Sequence, residues 1–379
     1  MNKRFKYHFE PKKGWMNDPN GLVYFKGKHH LFFQHNPYDV KWGPMHWGHA
    51  VSEDLIHFEE QPIALCPDMA YEDDGGCFSG SAIVKEGRLF LFYTSVSRQY
   101  GQTQSVAFSD DGIHFTKYEN NPVIYTNMED GSQDFRDPKV FAYRNEYRMV
   151  LGSRHEGRGR VLQYRSENLL DWEYVGVLYE TPDYHEPVEC PDLFYLDGKW
   201  VLMFSRIGFE TKSTLFLTGE FDGMKFTPGH AYEPEIGPQF YAPQTYEDNQ
   251  GRRILVGWFY DWKRAVNPGS ESAGAFTAAR ELSVRDGMLY CAPVKEAAPL
   301  LWEIANAGAQ SSFLEGKILI GIKNKNVLIY MRKAAEENSE GILQLMYETS
   351  FSERVQVLED EKALEIFVDD GIRNYSLWG

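Results

Sequence analysis

Ser52-Glu-Asp-Leu-Ile-His-Phe58 returns as Ser109-Asp-Asp-Gly-Ile-His-Phe115 and as Ser166-Glu-Asn-Leu-Leu-Asp-Trp172, with a weaker copy in Phe221-Asp-Gly-Met-Lys-Phe226. The first three start about 57 residues apart, a period slightly long for an array of supersecondary units but still of that kind. Each copy is a polar turn followed by an aromatic that can anchor an outer strand. Between the copies lie paired apolar runs. Gly21–Gly27 leads to His30–Gln34, Ser81–Gly87 to Leu89–Tyr93, Pro138–Tyr143 to Tyr147–Gly152, Asp192–Gly198 to Trp200–Ser205, and Gln244–Asp248 to Arg253–Trp258. Each pair reads as strand, tight turn, strand. Five such units predict an all-β chain with a five-bladed β-propeller over residues 1–298. After Pro299 the pattern changes. Leu300–Gly308 reads as a short helix or linker. The runs Lys317–Lys323, Asn326–Met331, Ile342–Tyr347, Arg354–Leu358, Ala363–Val368 and Ile372–Trp378 then predict a small antiparallel sandwich over residues 299–379.

Composition narrows the function. The 379 residues carry a formal net charge of −16, and no basic block stands out against it. Nucleic acid and anionic membranes are therefore poor partners. Aromatic residues make up 15%, in short alternating runs that suit strands and sugar-stacking surfaces. No apolar stretch follows the basic residues of Met1–Trp15, so no secretory signal is expected. The apolar runs are strand-sized, far short of a membrane span. Cys66, Cys77, Cys190 and Cys291 are too widely spaced for a disulfide framework or a zinc site. A soluble cytoplasmic protein with reduced thiols is expected, with no cofactor and no metal. Monomer and homodimer both stay open.

Propellers aim residues into a central channel from the ends of their inner strands. Three carboxylates each head one unit of the repeat: Asp18 in Trp15-Met-Asn-Asp-Pro-Asn-Gly21, Asp137 in Phe135-Arg-Asp-Pro138, and Glu189 in Glu186-Pro-Val-Glu-Cys-Pro-Asp192. Pro19 and Gly21 are turn-formers, and the Asn residues flanking Asp18 can hydrogen-bond it and keep it ionised, as a nucleophile requires. Strand neighbours point to opposite faces, so Arg136 is free to reach a carboxylate other than Asp137. Burial beside negative charge suits Glu189 to be a general acid, with Glu186 or Asp192 as the competing choice. Cys190 has no identifiable base and reads as a packing residue. Such a cluster is the layout for glycoside hydrolysis. A Ca²⁺ site is the rival, without the usual acidic loop to support it. His46-Trp-Gly-His49 reads as a strand edge.

These three blocks resemble the signature blocks of glycoside hydrolase family 32. Phe33–Pro37, Trp47–His49, Phe78–Ser81, Tyr241–Gln244, Gly257-Trp258 and Arg280–Leu282 agree in order. The resemblance implies a propeller followed by a sandwich, acting on β-D-fructofuranosides with retention. It implies Asp18 as nucleophile, Glu189 as general acid/base and Asp137 as transition-state stabiliser. Asn17, Gln34, Trp42, Phe78, Ser79 and Arg136 would line the fructose subsite. Retention asks for nucleophile and acid carboxyls roughly 5–5.5 Å apart. The small-molecule substrate would be sucrose, sucrose 6-phosphate or a short fructo-oligosaccharide. A fructosyltransferase or difructose anhydride hydrolase would use the same carboxylates, and a non-catalytic sugar-binding propeller is the distant alternative.

This chain departs from the family pattern at three places. Val188 stands where a Trp is usual and Gln239 where an Asp is frequent, each with a possible effect near the substrate. The tail of about 80 residues predicts a shortened sandwich. Arg154, Arg158 and Arg160 could hold a phosphate, although a solvated strand–turn–strand is the favoured reading.

Overall fold

A computed structural model describes residues 4–259, 262, 270–304, 310–332, 343–351 and 354–378. The repeated motif is the turn that joins the third strand of a blade to its outermost strand. It lies between His46–Ser52 and Glu59–Leu65, between Gly101–Ser109 and Thr116–Lys117, and between Arg158–Ser166 and Glu173–Glu180. Its chemistry explains why it recurs. The Ser109 hydroxyl accepts the N–H groups of Asp111 and Gly112, and Asp111 Oδ1 accepts those of Ile113 and His114. Ser52 with Asp54, and Ser166 with Asn168, do the same. Two side chains thus satisfy four backbone donors that would otherwise be unpaired. The third turn position is left-handed in every copy, at Leu55, Gly112 and Leu169. Glycine is needed at 112, where a Cβ would lie 2.9 Å from His30 and 3.0 Å from Phe25. The closing aromatic of the turn reaches the preceding blade: Phe115 meets Phe32 and Trp172 meets Phe92, each at 5.6 Å.

Five antiparallel sheets follow one another. Their inner strands are Gly14–Phe25, Gly76–Lys85, Phe135–Tyr143, Val188–Leu196 and Tyr241–Glu247, for blades I to V. The ring closes where Ser272–Ala273 of the blade V connection pairs in parallel with Gly14 and Trp15. Two further four-stranded sheets, built between Leu301 and Trp378, face each other across Ile318, Ile320, Ile329, Val357, Leu364 and Ile366. The chain is therefore a five-bladed β-propeller followed by a β-sandwich. Beyond the expected runs the sandwich holds Leu301–Glu303 and Gln310–Phe313. The expected helix or linker at 300–308 is a 3₁₀ turn at Lys295–Leu300 followed by a strand; positions 305–308, and Ile342 of another expected strand, lie outside the described residues. No helix among the described residues is long and apolar enough to cross a membrane.

Hydrogen bonds stitch the inner strands across the channel. Ser81 of blade II bridges Pro138 O and Val140 N of blade III, and Gln244 of blade V donates to Gly80 O. Asp192 of blade IV accepts both the N–H and the hydroxyl of Thr245 and pairs with Lys139.

Candidate active site

Each inner strand carries a bulge at the same end of the channel, where two of its residues oppose one on the next strand; Gly14–Phe25 has a second register shift between Asn20 and Val23. The doubled residues are Asn17-Asp18 against Gln34, Phe78-Ser79 against Thr94, Asp137-Pro138 against Leu151, Cys190-Pro191 against Phe204, and Ala242-Pro243 against Gly257. Proline fits there because the ladder is already broken and no N–H is missed. A bulge interrupts strand alternation and re-aims side chains. The left-handed backbone at Asp137 (φ 66°), Cys190 (φ 48°) and Ala242 (φ 47°) marks the same places.

The turn-formers Pro19 and Gly21 do not end the strand: Trp15–Gly21 runs inside one continuous strand. Strict alternation also fails, because neighbours such as Asn17 and Asp18, Phe78 and Ser79, and Arg136 and Asp137 share one pocket. That pocket, of about 230 Å³, is lined by Asp18, Asp137, Glu189, Asn17, Gln34, Trp42, Phe78, Ser79 and Arg136. All nine residues singled out from the sequence thus meet in one cavity. Tyr241, Ile207 and Trp262 complete it.

Asp18 accepts from the Ser79 hydroxyl at 2.7 Å and from Asn17 Nδ2 at 3.1 Å. Burial, reinforced by the charge of Glu189, outweighs these bonds and pushes its carboxyl up to about 6. Asp137 accepts from the Cys190 N–H at 2.8 Å. Burial raises it to about 7; Arg136 opposes the rise, while Glu189 and Asp18 add to it. Arg136 reaches the other carboxylate: Nε and Nη2 donate to Glu189 Oε1 at 3.1 and 3.0 Å. The Tyr241 hydroxyl donates to Glu189 Oε2 at 2.5 Å.

The competing acids lie elsewhere. Asp192 is buried against Lys139, and Glu186 is largely exposed and pairs with Arg154. Cys190 does more than pack. Its sulfur lies 3.7 Å from Asp18 and 3.6 Å from Asp137, as a weak donor between them. Burial holds its thiol well above its ordinary range, which leaves it inert as a nucleophile. All four cysteines are unpaired. Tyr241 heads blade V as Glu189 heads blade IV, so comparing the units in register could have found it. Trp262 stacks on Trp15 at 5.3 Å and carried no sequence signal.

The departures resolve into packing. Val188 is buried among Val150, Val161 and Tyr184. Gln239 is not among the residues that line the pocket and accepts the Trp378 N–H of the last strand. His46 begins the third strand of blade I, and His49 pairs with His30 at 3.0 Å. The three arginines are taken by carboxylates: Arg154 by Asp134 and Glu186, Arg158 by Glu180, and Arg160 by Glu180 and Asp130.

Fold and pocket together are those of a glycoside hydrolase. The family model of the glycosyl hydrolases family 32 N-terminal domain matches residues 8–293. The sucrose-6-phosphate hydrolase of Escherichia coli is 35% identical over 419 aligned positions, covering 96% of this chain and 87% of that protein. The levanase of Bacillus subtilis is 40% identical over 77% of this chain and 47% of its own length. Among solved structures, a β-fructofuranosidase of Bombyx mori superposes with a TM-score of 0.83 at 32% identity, over 99% of this chain and 88% of that one. The chain belongs to glycoside hydrolase family 32.

Proposed function

We propose that this protein hydrolyses the β-D-fructofuranosidic bond of sucrose, sucrose 6-phosphate or short fructo-oligosaccharides with retention of configuration. The observation that carries the reading is the meeting of Asp18, Asp137 and Glu189 in one small pocket with Arg136 as its guanidinium.

Protonated Glu189 gives its proton to the glycosidic oxygen, and the Tyr241 hydroxyl donates to the carboxylate that remains. Ionised Asp18 attacks the anomeric carbon as the bond to the leaving sugar breaks, and a fructosyl ester forms. Water then gives a proton to Glu189 and its oxygen to the anomeric carbon, freeing fructose and the Asp18 carboxylate. Positive charge gathers on the fructose ring in both transition states, and the carboxylate of Asp137 stabilises it. Arg136, Gln34 and Asn17 supply hydrogen bonds to fructose hydroxyls. Phe78 and the half-exposed Trp42, whose rings meet edge-on at 5.9 Å, supply apolar walls. Residues 1–298 carry the chemistry, and residues 299–379 form the attached sandwich. Four unpaired thiols suit a reducing, cytoplasmic location.

The test is fructose release from sucrose, sucrose 6-phosphate and kestose in parallel, with the anomer first released read by NMR. Release of the β-anomer, lost by orders of magnitude in Glu189→Gln, is expected. No release from any of the three, or release of the inverted anomer, overturns the reading.

A further inference from the structure

Arg136 is held from two sides. Its inner nitrogens donate to Glu189, while Nη1 donates to Asp134 Oδ1 at 2.8 Å and to Gln102 Oε1 at 3.3 Å. The second oxygen of Asp134 lies 3.3 Å from Arg154 Nε, and Arg154 Nη1 lies 3.2 Å from Glu186. Charges of alternating sign therefore run from the rim inward: Glu186, Arg154, Asp134, Arg136, Glu189. Side-chain exposure falls from 57% at Glu186 and 43% at Arg154 to 31% at Asp134 and 12% at Arg136, and Glu189, which lines the pocket, stands at 22%. Neither Asp134 nor Arg154 lines the pocket.

A guanidinium with two nitrogens on one carboxylate stabilises the ionised form of that carboxylate. The acid step needs the opposite, a protonated Glu189. A second carboxylate on the far edge of the same guanidinium offsets this pull, and it also sets the tilt of the plane that faces Glu189. We infer that Asp134, itself modulated by Arg154, is a positioning residue for the acid–base step, dividing the charge of Arg136 between the rim and Glu189. The inference rests on the role proposed above for Glu189. The other titratable groups facing Glu189 are Asp18, Asp137, Cys190, Tyr184 and Tyr241. Those facing Asp134 are Arg136 and Arg154.

The experiment is the pH profile of kcat/KM on the fructoside that the unaltered enzyme cleaves fastest. The alkaline limb reports the group that must be protonated. Asp134→Asn leaves Arg136 to Glu189, so the limb should move to lower pH by about half a unit or more. Arg154→Gln strengthens the hold of Asp134 on Arg136, so the limb should move to higher pH. The double variant should follow Asp134→Asn, because Arg154 acts through Asp134. Limbs that stay in place while kcat/KM drops at every pH overturn the inference and leave the proposed function standing. The same holds if both limbs move in one direction. No fructose release by the unaltered protein overturns both. Arg154→Gln sits on the exposed rim and carries the test alone if Asp134→Asn does not fold.

Discussion

Lys139 Nζ lies 2.9 Å from Asp192 Oδ2, with both side chains almost entirely out of water. Burial pulls the Lys139 ammonium below its ordinary range, and Asp192 holds it against that pull. Asp192 follows Glu189 by three residues, yet its work is to join blades III, IV and V. Asp192→Asn leaves a buried cation without its counter-charge and should cost about 3–5 kcal/mol. Urea unfolding would show this as a lower midpoint, with activity per folded molecule within a few-fold of the original. An unchanged midpoint would refute the structural role.

Asp18 is strained by its function. Its carboxyl stands at about 6 in the fold against 3.8 in a free chain. A folded state that binds the proton more tightly gains stability as pH falls from about 6 to about 4 and loses it as pH rises through that window. At neutral pH the ionised side chain costs the fold roughly 2 kcal/mol, after allowing for solvent in the pocket. Asp18→Asn should therefore raise the thermal midpoint at pH 7 while abolishing turnover. In the unaltered enzyme, kcat/KM should fall as pH drops through about 7 to 6, where Asp137 and Asp18 take up protons. A destabilised, inactive Asp18→Asn would contradict this account.

Tyr241→Phe removes the hydroxyl on Glu189 Oε2 and keeps the buried ring. A hydrogen bond to a charged group contributes about 1.5–3 kcal/mol. Steady-state kinetics should show kcat reduced about 10- to 100-fold with KM nearly unchanged. A change confined to KM would place the hydroxyl on the substrate instead.

His8 clasps the sandwich to the propeller. Its ring nitrogens lie 2.9 Å from Asp360 and 2.8 Å from Glu365, so both must carry protons. Asp360 also accepts the backbone N–H groups of Lys6, Tyr7 and His8. Burial alone would lower the imidazole, but the two carboxylates outweigh it and hold it at about 9. The raised value means a stabilisation fully present below about pH 6.5 and lost as pH rises through about 9, on the order of 2–3 kcal/mol. Denaturant midpoints should decline between pH 7 and 10, and His8→Gln should flatten that decline. A variant that keeps the same slope would rule the clasp out.

The repeat and the carboxylates were legible because both are local. Ser109 and Asp111 cap their own turn, so the motif reads the same wherever it occurs. Asp18, Asp137 and Glu189 each stand in or next to the bulge of an inner strand, in blades I, III and IV. Arg280 shows the limit of such reading. It belongs to a recognisable block, yet it is fully buried between Glu235 and Glu365 at the propeller–sandwich junction, far in role from the pocket chemistry.

By itself the sequence determined the strand order, the turns and the carboxylate set, because hydrophobic alternation and capping act over a few residues. The tertiary structure alone decided that Arg136 turns to Glu189, that Cys190 lies between two aspartates, and that Tyr241 and Trp262 close the pocket. Those contacts join strands separated by 50 residues or more and depend on the bulge in each inner strand. A bulge is one unpaired residue in a ladder, and it becomes visible only when both strands are in place.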